Sequence, residues 1–415
     1  MNVFRVFNVS TVFRFRHKII PPENFGPRIF YRNMYKPTND ASASEGLADL
    51  RSDTMSRPSQ AMREKMAAAP VGDDVFCEDP TVLELQSRVA KLLGKEAGLF
   101  VTSGSQGNLL ASLIHCQGRG LEVICGDVNH IFLYEQGGLA QFGGIQANTL
   151  PVQEDGTFSL EGIRSRIRDH TNDHYPRTCM IAIENTQNYH GGIALPLEWL
   201  DELVKIGKEN NIRLHLDGAR LFNAAIATGA PAERLARGFD SVTVCFSKGL
   251  GAPVGSVLCG SATFITEARR LRKALGSGMR QVGILAAAGL YCLDHMIDRL
   301  ADDHANAKLV ASAVAALKSP VIAVELKKVQ TNMVLLLVDK RIPANDVCKR
   351  LALITDEEEA ELGGSIKVLA WPRTQNKIRL VFHCDVSNEQ AQKVAAKIAF
   401  VVKEFTKTLQ GDQLA

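Results

Sequence analysis

A rhythm along the 415-residue chain constrains its fold more than any single motif: short apolar runs alternate with longer stretches of helical periodicity. Leu99–Val101, Glu122–Cys125, Cys179–Ile183, Arg213–Leu216 and Val242–Phe246 are such runs, each near a helical pattern. Apolar strands spaced by helices assemble into a mostly parallel sheet with helices on both faces, so an α/β fold is predicted. Polar residues follow several of these strands directly, as Thr102-Ser103-Gly104-Ser105, Glu184-Asn185-Thr186, Asp217-Gly218-Ala219-Arg220 and Ser247-Lys248-Gly249. In open α/β sheets the ligand crevice lies beyond the carboxyl ends of the strands, so these groups are expected to converge on one site.

Past a helical stretch near Val282–Leu300 the texture changes. Thr331–Val338, Lys367–Ala370 and Ile378–Phe382 read as strands and Ala344–Leu353 as a helix, while Ser387 with Gln390 three residues on forms a capping box for a last helix. The expected organisation is a leader over 1–46, a large domain over 47–300 and a smaller C-terminal α+β domain over 301–415. In the leader, Met1–Pro22 holds no acidic residue, and Arg5, Arg14, Arg16, His17 and Lys18 are mixed with Val, Phe and Ile. That composition matches a mitochondrial presequence or a plain tail, so the expected location is mitochondrial or cytoplasmic.

Charge and cysteine usage exclude several classes. The net charge is +3, without long runs of one sign, which leaves no electrostatic footprint for nucleic acid. Nine cysteines without a C-x-x-C pair, and ten histidines without H-E-x-x-H, indicate reduced thiols and predict no catalytic metal. No stretch approaches the roughly 20 consecutive apolar residues of a membrane-spanning helix, so no membrane partner is expected.

Four groups carry candidate chemistry. Lys248 stands just past a buried strand and before two glycines; a desolvated lysine amine attacks an aldehyde to form a Schiff base, although most strand-end lysines are merely solvated. Asp217 ends another predicted strand, where a carboxylate can keep a pyridine nitrogen protonated, or can simply cap a helix. Gly104 and Ser105 open a helix, the arrangement of a phosphate cup or of an ordinary serine cap. His130 can stack on a cofactor ring or move a proton, and can equally be a structural histidine.

With these pieces in order, the chain resembles the low-specificity L-threonine aldolases of the fold-type I pyridoxal-phosphate enzymes from about Leu50 to Phe400. The runs that carry the resemblance are Leu50–Thr54, Ala69–Val75, Asp79–Val82, Glu184–Thr186, His215–Arg220, Ser247–Gly255 and Gly278–Gln281. It implies a fold-type I, transferase-like architecture in which Lys248 binds pyridoxal 5'-phosphate, Asp217 pairs with its ring nitrogen, and Gly104 and Ser105 bind its phosphate. His130 then stacks on the ring, and Arg220 neighbours the cofactor. Ser52, Arg220 and Arg379 hold the substrate carboxylate, and Lys273 matches a further active-site lysine.

One residue departs from the pattern. Many relatives carry a histidine associated with the substrate's β-hydroxyl where this chain has Gln187, which exchanges hydrogen bonds but is no base near neutral pH. The general base is left between His130 and a water near the phosphate. The implied reaction is retro-aldol cleavage of threonine or allo-threonine, a small amino acid being the partner, in a homotetramer built as a dimer of dimers. Other readings are β-elimination or amino transfer on the same fold, a nicotinamide-dependent dehydrogenase, which lacks its glycine fingerprint here, and a catalytically silent relative.

Overall fold

The computed structural model describes residues 46–411, which form one compact unit. The leader and the presequence expectation lie outside the described residues. Each expected strand is present, as β2 (Ala97–Val101), β3 (Leu121–Gly126), β5 (Arg177–Glu184), β6 (Arg213–Gly218) and β7 (Ser241–Cys245). Two strands unseen in the sequence, β4 (Gln146–Leu150) and β8 (Ser256–Gly260), complete a seven-stranded sheet in the order β2-β8-β7-β6-β5-β3-β4. The neighbours from β7 through β4 pair in parallel, and β8 runs antiparallel to β7 and β2.

Burial on both faces explains the apolar strands: every residue of β7 and β8 is buried. The helix Gly104–His115 lies against β6, β7 and β8, and glycine permits its approach. A Cβ on Gly107 would come within 2.7 Å of the Thr243 side chain, and one on Gly104 within 2.7 Å of the Cys245 sulfur.

The C-terminal part builds a second sheet, antiparallel, in the order β12 (Trp371–Thr374), β13 (Lys377–Val381), β10 (Met333–Val338) and β9 (Ile322–Val324). The expected helix is found over Ala344–Leu351. The capping box forms as read: Ser387 N–H donates to Gln390 at 3.0 Å and Gln390 N–H to the Ser387 hydroxyl at 3.1 Å, opening the helix Asn388–Gly411. The short β1 (Leu47–Asp49) pairs in parallel with β11 (Lys367–Leu369), which places Ala48 and Leu50 in the apolar core of the C-terminal part. The chain then turns at Ser52 and delivers Asp53, fully buried, to the region between the sheets. Among the described residues no helix is long and apolar enough to cross a membrane.

Candidate active site

The carboxyl ends of adjacent parallel strands set side by side what the sequence lists far apart. Glu184, last in β5, is level with Asp217 in β6, and Asp217 is level with Thr243 in β7, the strand that leads to Lys248. Asp217 is buried, its Oδ1 accepting from Ala219 N–H at 3.0 Å and its Oδ2 from Asn108 at 2.9 Å. Burial, the largest influence, pushes its carboxyl up, but the charges of Lys248 and His130 and the Asn108 hydrogen bond outweigh it, so the pKa is lowered. Asp217 is held as a carboxylate, the form that can keep a ring nitrogen protonated.

His130 opens the short helix His130–Leu133, its backbone N–H fixed on Glu184 Oε2 at 2.6 Å. Its Nδ1 meets Glu135 Oε1 at 2.9 Å, and one ligand atom each of His130, Glu135 and Asp217 lie within 4.8 Å of one another. Burial pulls the imidazole pKa down, and Glu135 and Asp217 more than reverse it, so the net shift is upward. Glu184 itself is raised, by burial first and by the Asp217 charge second.

The helix Gly104–His115 starts at the residues expected to bind phosphate. Ser103 accepts from Gln106 N–H at 3.2 Å, so the earlier N–H groups of the first turn point outward, as at any helix N-terminus. Gln106 in turn donates to Ser277 at 2.6 Å, closing one side of that helix start. A cavity of about 260 Å³ opens there, lined by Ser105, Gln106, Ile131 and Glu135 among others. Two larger surface grooves, of about 930 and 920 Å³, contain none of the candidate residues.

Arginines gather on the side of the second sheet. Arg220 makes a two-pronged ion pair with Asp53, Nε to Oδ2 and Nη2 to Oδ1, both 2.7 Å. Arg379 on β13 donates to Asn188 Oδ1 at 2.9 Å and to the Arg51 carbonyl at 3.2 Å, and Arg220 reaches the same Asn188 oxygen at 3.4 Å. Burial first, then the charges of Arg220 and Arg373, bring the Arg379 pKa down to about 10. Ser52 is buried and caps the turn of Asp53–Met55, its hydroxyl accepting from Thr54 N–H at 3.2 Å.

Two predicted residues stand differently. Gln187 is fully buried, its amide donating to Asn129 at 3.2 Å and accepting from His190 N–H at 3.1 Å. Lys273 is exposed on the helix Ala262–Ala274, and its ammonium rests by the turn at Gly278, where a Cβ would lie 3.1 Å from it. That turn carries Ser277, which accepts from the Gln106 side chain.

Asn108 and Glu135 order the site without standing out as candidates in the sequence, whereas Glu184 and His215 lie in runs that did. Asn108 binds Asp217, Glu135 and His215 together, and His215 continues to Ser241 at 2.8 Å. Glu184 holds both His130 and Asn188 N–H, the latter at 2.7 Å. Asn108 lies one turn past the glycine-rich helix start, the one signal that pointed toward it. These residues fit pyridoxal 5'-phosphate: an amine at Lys248, an ionised carboxylate at Asp217, an imidazole at His130 and an anion cup at Gly104 and Ser105.

The chain matches the family model described as beta-eliminating lyase over residues 49–340. It is 42% identical to a probable low-specificity L-threonine aldolase 2 of Arabidopsis thaliana, over 83% of this chain and 94% of that one. It is 43% identical to the low specificity L-threonine aldolase of Escherichia coli K12, over 84% and 98% of the two chains. The solved threonine aldolase of Leishmania major shares the fold with a TM-score of 0.69 at 19% identity, covering 85% of this chain and 99% of that chain. On the family match and on these relatives, this chain belongs to the beta-eliminating lyase family and, within it, to the low-specificity L-threonine aldolases.

Proposed function

We propose that this protein is a carbon–carbon lyase that cleaves threonine or allo-threonine to glycine and acetaldehyde. The observation that carries the reading is the convergence of His130, Glu135 and Asp217 within 4.8 Å, under the charge of Lys248 and beside Arg220 and Arg379. Bound pyridoxal 5'-phosphate supplies an electron sink for the bonds at the substrate's Cα.

The chain's own groups do the rest. Lys248 holds the cofactor through its ε-amine, and Asp217 keeps a proton on the ring nitrogen. Gly104 and Ser105 bind the phosphate at the helix start. Arg379, with Ser52 and Arg220, holds the substrate carboxylate and so selects which bond at Cα is aligned for cleavage. His130, positioned by Glu135 and Glu184, takes the β-hydroxyl proton, and Gln187 supports it through Asn129. Lys273 acts from the rim of the cup, where the 276–279 turn meets Gln106. The division near residue 300 follows: the earlier part binds the cofactor and the later part brings Arg379.

The test is product analysis with both stereoisomers. Acetaldehyde and glycine support the reading; 2-oxobutyrate, or a need for an oxo-acid acceptor, would replace it with elimination or amino transfer. Lys248→Ala should abolish cleavage together with the visible absorption of the holoenzyme. The reading includes a homotetramer, supported by the exposed apolar side chains of Phe76, Phe132, Leu133 and Phe142, each at least 40% exposed, and sedimentation checks it. It leaves the location as mitochondrial or cytoplasmic, which fractionation of the full chain beside a variant lacking residues 1–46 decides.

A further inference from the structure

Arg373 belongs to the same cluster of guanidinium groups, yet nothing in the reaction above uses it. It sits on β12, whose Trp371 is paired across the sheet with Arg379. Its guanidinium carbon lies 4.4 Å from the centre of the Tyr189 ring and 5.5 Å from that of Tyr134. Aromatic faces cover the flat sides of a guanidinium and leave its edge N–H donors to find acceptors. The Nε and Nη2 of Arg373 are buried, and neither has a hydrogen-bond partner among the described residues.

The charges around it do not balance. Asp53 neutralises Arg220 through two hydrogen bonds. Arg379 is met by neutral oxygens of Asn188 and Arg51. A substrate with one carboxylate compensates Arg379 and leaves Arg373 over. Arg373 is half-buried, and its buried N–H groups without acceptors are disfavoured unless a ligand supplies them.

Position says which part of a ligand that would be. Tyr189 follows Asn188, the acceptor shared by Arg220 and Arg379, on the side assigned to the α-carboxylate. Tyr134 contacts the imidazole of His130, ring centres 5.5 Å apart, on the side assigned to the β-hydroxyl. Arg373 bridges the two sides and so lies where a substituent on Cβ can reach it.

We propose that Arg373 is a specificity-determining residue that binds a second acidic group, carried on the β-substituent, and that β-hydroxy-α-amino acids with a side-chain carboxylate are substrates. The proposal rests on the aldolase reading. With 3-hydroxyaspartate the Cα–Cβ bond breaks, the hydroxyl loses its proton as its oxygen becomes the carbonyl of glyoxylate, and Cα gains a proton to give glycine. No oxidant or second substrate enters.

The experiment uses the holoenzyme with threonine and with the stereoisomers of 3-hydroxyaspartate, scoring acetaldehyde, glyoxylate and glycine. Wild type should cleave both kinds of substrate. Arg373→Met should lower kcat/KM on 3-hydroxyaspartate about tenfold or more beyond any loss on threonine, the scale of one charge-assisted hydrogen-bonded pair. Binding gives a second readout, since L-aspartate and L-alanine lack the hydroxyl and cannot be cleaved this way. L-aspartate should compete more tightly than L-alanine in wild type, lose that advantage in Arg373→Met, and keep part of it in Arg373→Lys. If Arg373→Met fails to fold, the lysine variant and the wild-type competition decide alone. Cleavage of threonine without cleavage of 3-hydroxyaspartate overturns this proposal and leaves the aldolase reading standing. Equal losses on both substrates in Arg373→Met also overturn it, placing Arg373 on the α-carboxylate or in the scaffold. A wild type that cleaves neither fails the aldolase reading itself.

Discussion

Arg220 and Asp53 face each other as a two-pronged ion pair, both contacts 2.7 Å, with the aspartate side chain wholly buried and the arginine 7% exposed. Burial pushes the Asp53 carboxyl up, and Arg220 overcomes it, holding the group far below the usual carboxylate range. A depressed carboxyl stabilises the fold at neutral pH, and that contribution is lost as pH falls through its folded value. Asp53→Asn should cost about 3–5 kcal/mol at pH 7, the scale of breaking a buried pair. The gap to wild type in denaturant melts should narrow below about pH 4, the ordinary aspartate pKa. A gap that stays constant across that range would refute the assignment.

Glu135 raises the His130 pKa through a 2.9 Å hydrogen bond. If His130 takes the β-hydroxyl proton, it must be neutral, and activity should rise with pH through its titration. Glu135→Gln should move the acid limb of the kcat/KM profile to lower pH, and His130→Asn should lower kcat by roughly 10²–10⁴-fold. An acid limb unmoved in Glu135→Gln would assign the proton transfer to another group.

Asn108 holds three partners at once: Asp217 and Glu135 at 2.9 Å and His215 at 3.0 Å. Asn108→Ala orphans a buried contact at each, at roughly 1–3 kcal/mol per unsatisfied group. The expected result is a lower unfolding midpoint and roughly tenfold weaker cofactor binding in an absorbance titration, the scale of one hydrogen bond to a charged group. Unchanged binding would mean that Asp217 does not depend on this donor.

Asp303 is buried against Arg299, and burial, opposed by Arg299, pushes its carboxyl up to about 6. A raised pKa gives stability that is present below the ordinary aspartate value of about 3.9 and lost as pH rises through the folded value. Replacing Asp303 by Asn should remove roughly 1–3 kcal/mol of pH dependence between about pH 4 and pH 6. Urea melts at several pH values compare the slopes, which remain comparable even if the variant is less stable throughout.

Lys248, Asp217, His130, Gly104 and Ser105 are legible as candidates in the sequence because each stands past the end of an apolar strand or at the start of a helix. The capping box at Ser387 was legible for the same reason, since both partners lie within one turn. β8 is not legible in the sequence, as Ser256–Gly260 is short, begins beside a glycine and is held between β7 and the distant β2. β1 escaped because its partner, β11, lies near the other end of the chain. Asn108, Glu135 and Asn188 looked like ordinary polar residues; their importance comes from what other segments bring to them.

Periodicity and residue chemistry are local properties, and they sufficed for the α/β class, the strand ends and the choice of candidate residues there. Charge balance is not local. Whether Arg220 is free for a substrate depends on Asp53, whether Gln187 faces a ligand depends on Asn129 and His190, and the unpaired edge of Arg373 exists only where the fold sets it between two tyrosines. A buried polar group acts through the partners it meets after desolvation, and in this chain those partners come from segments brought together by the packing of two sheets.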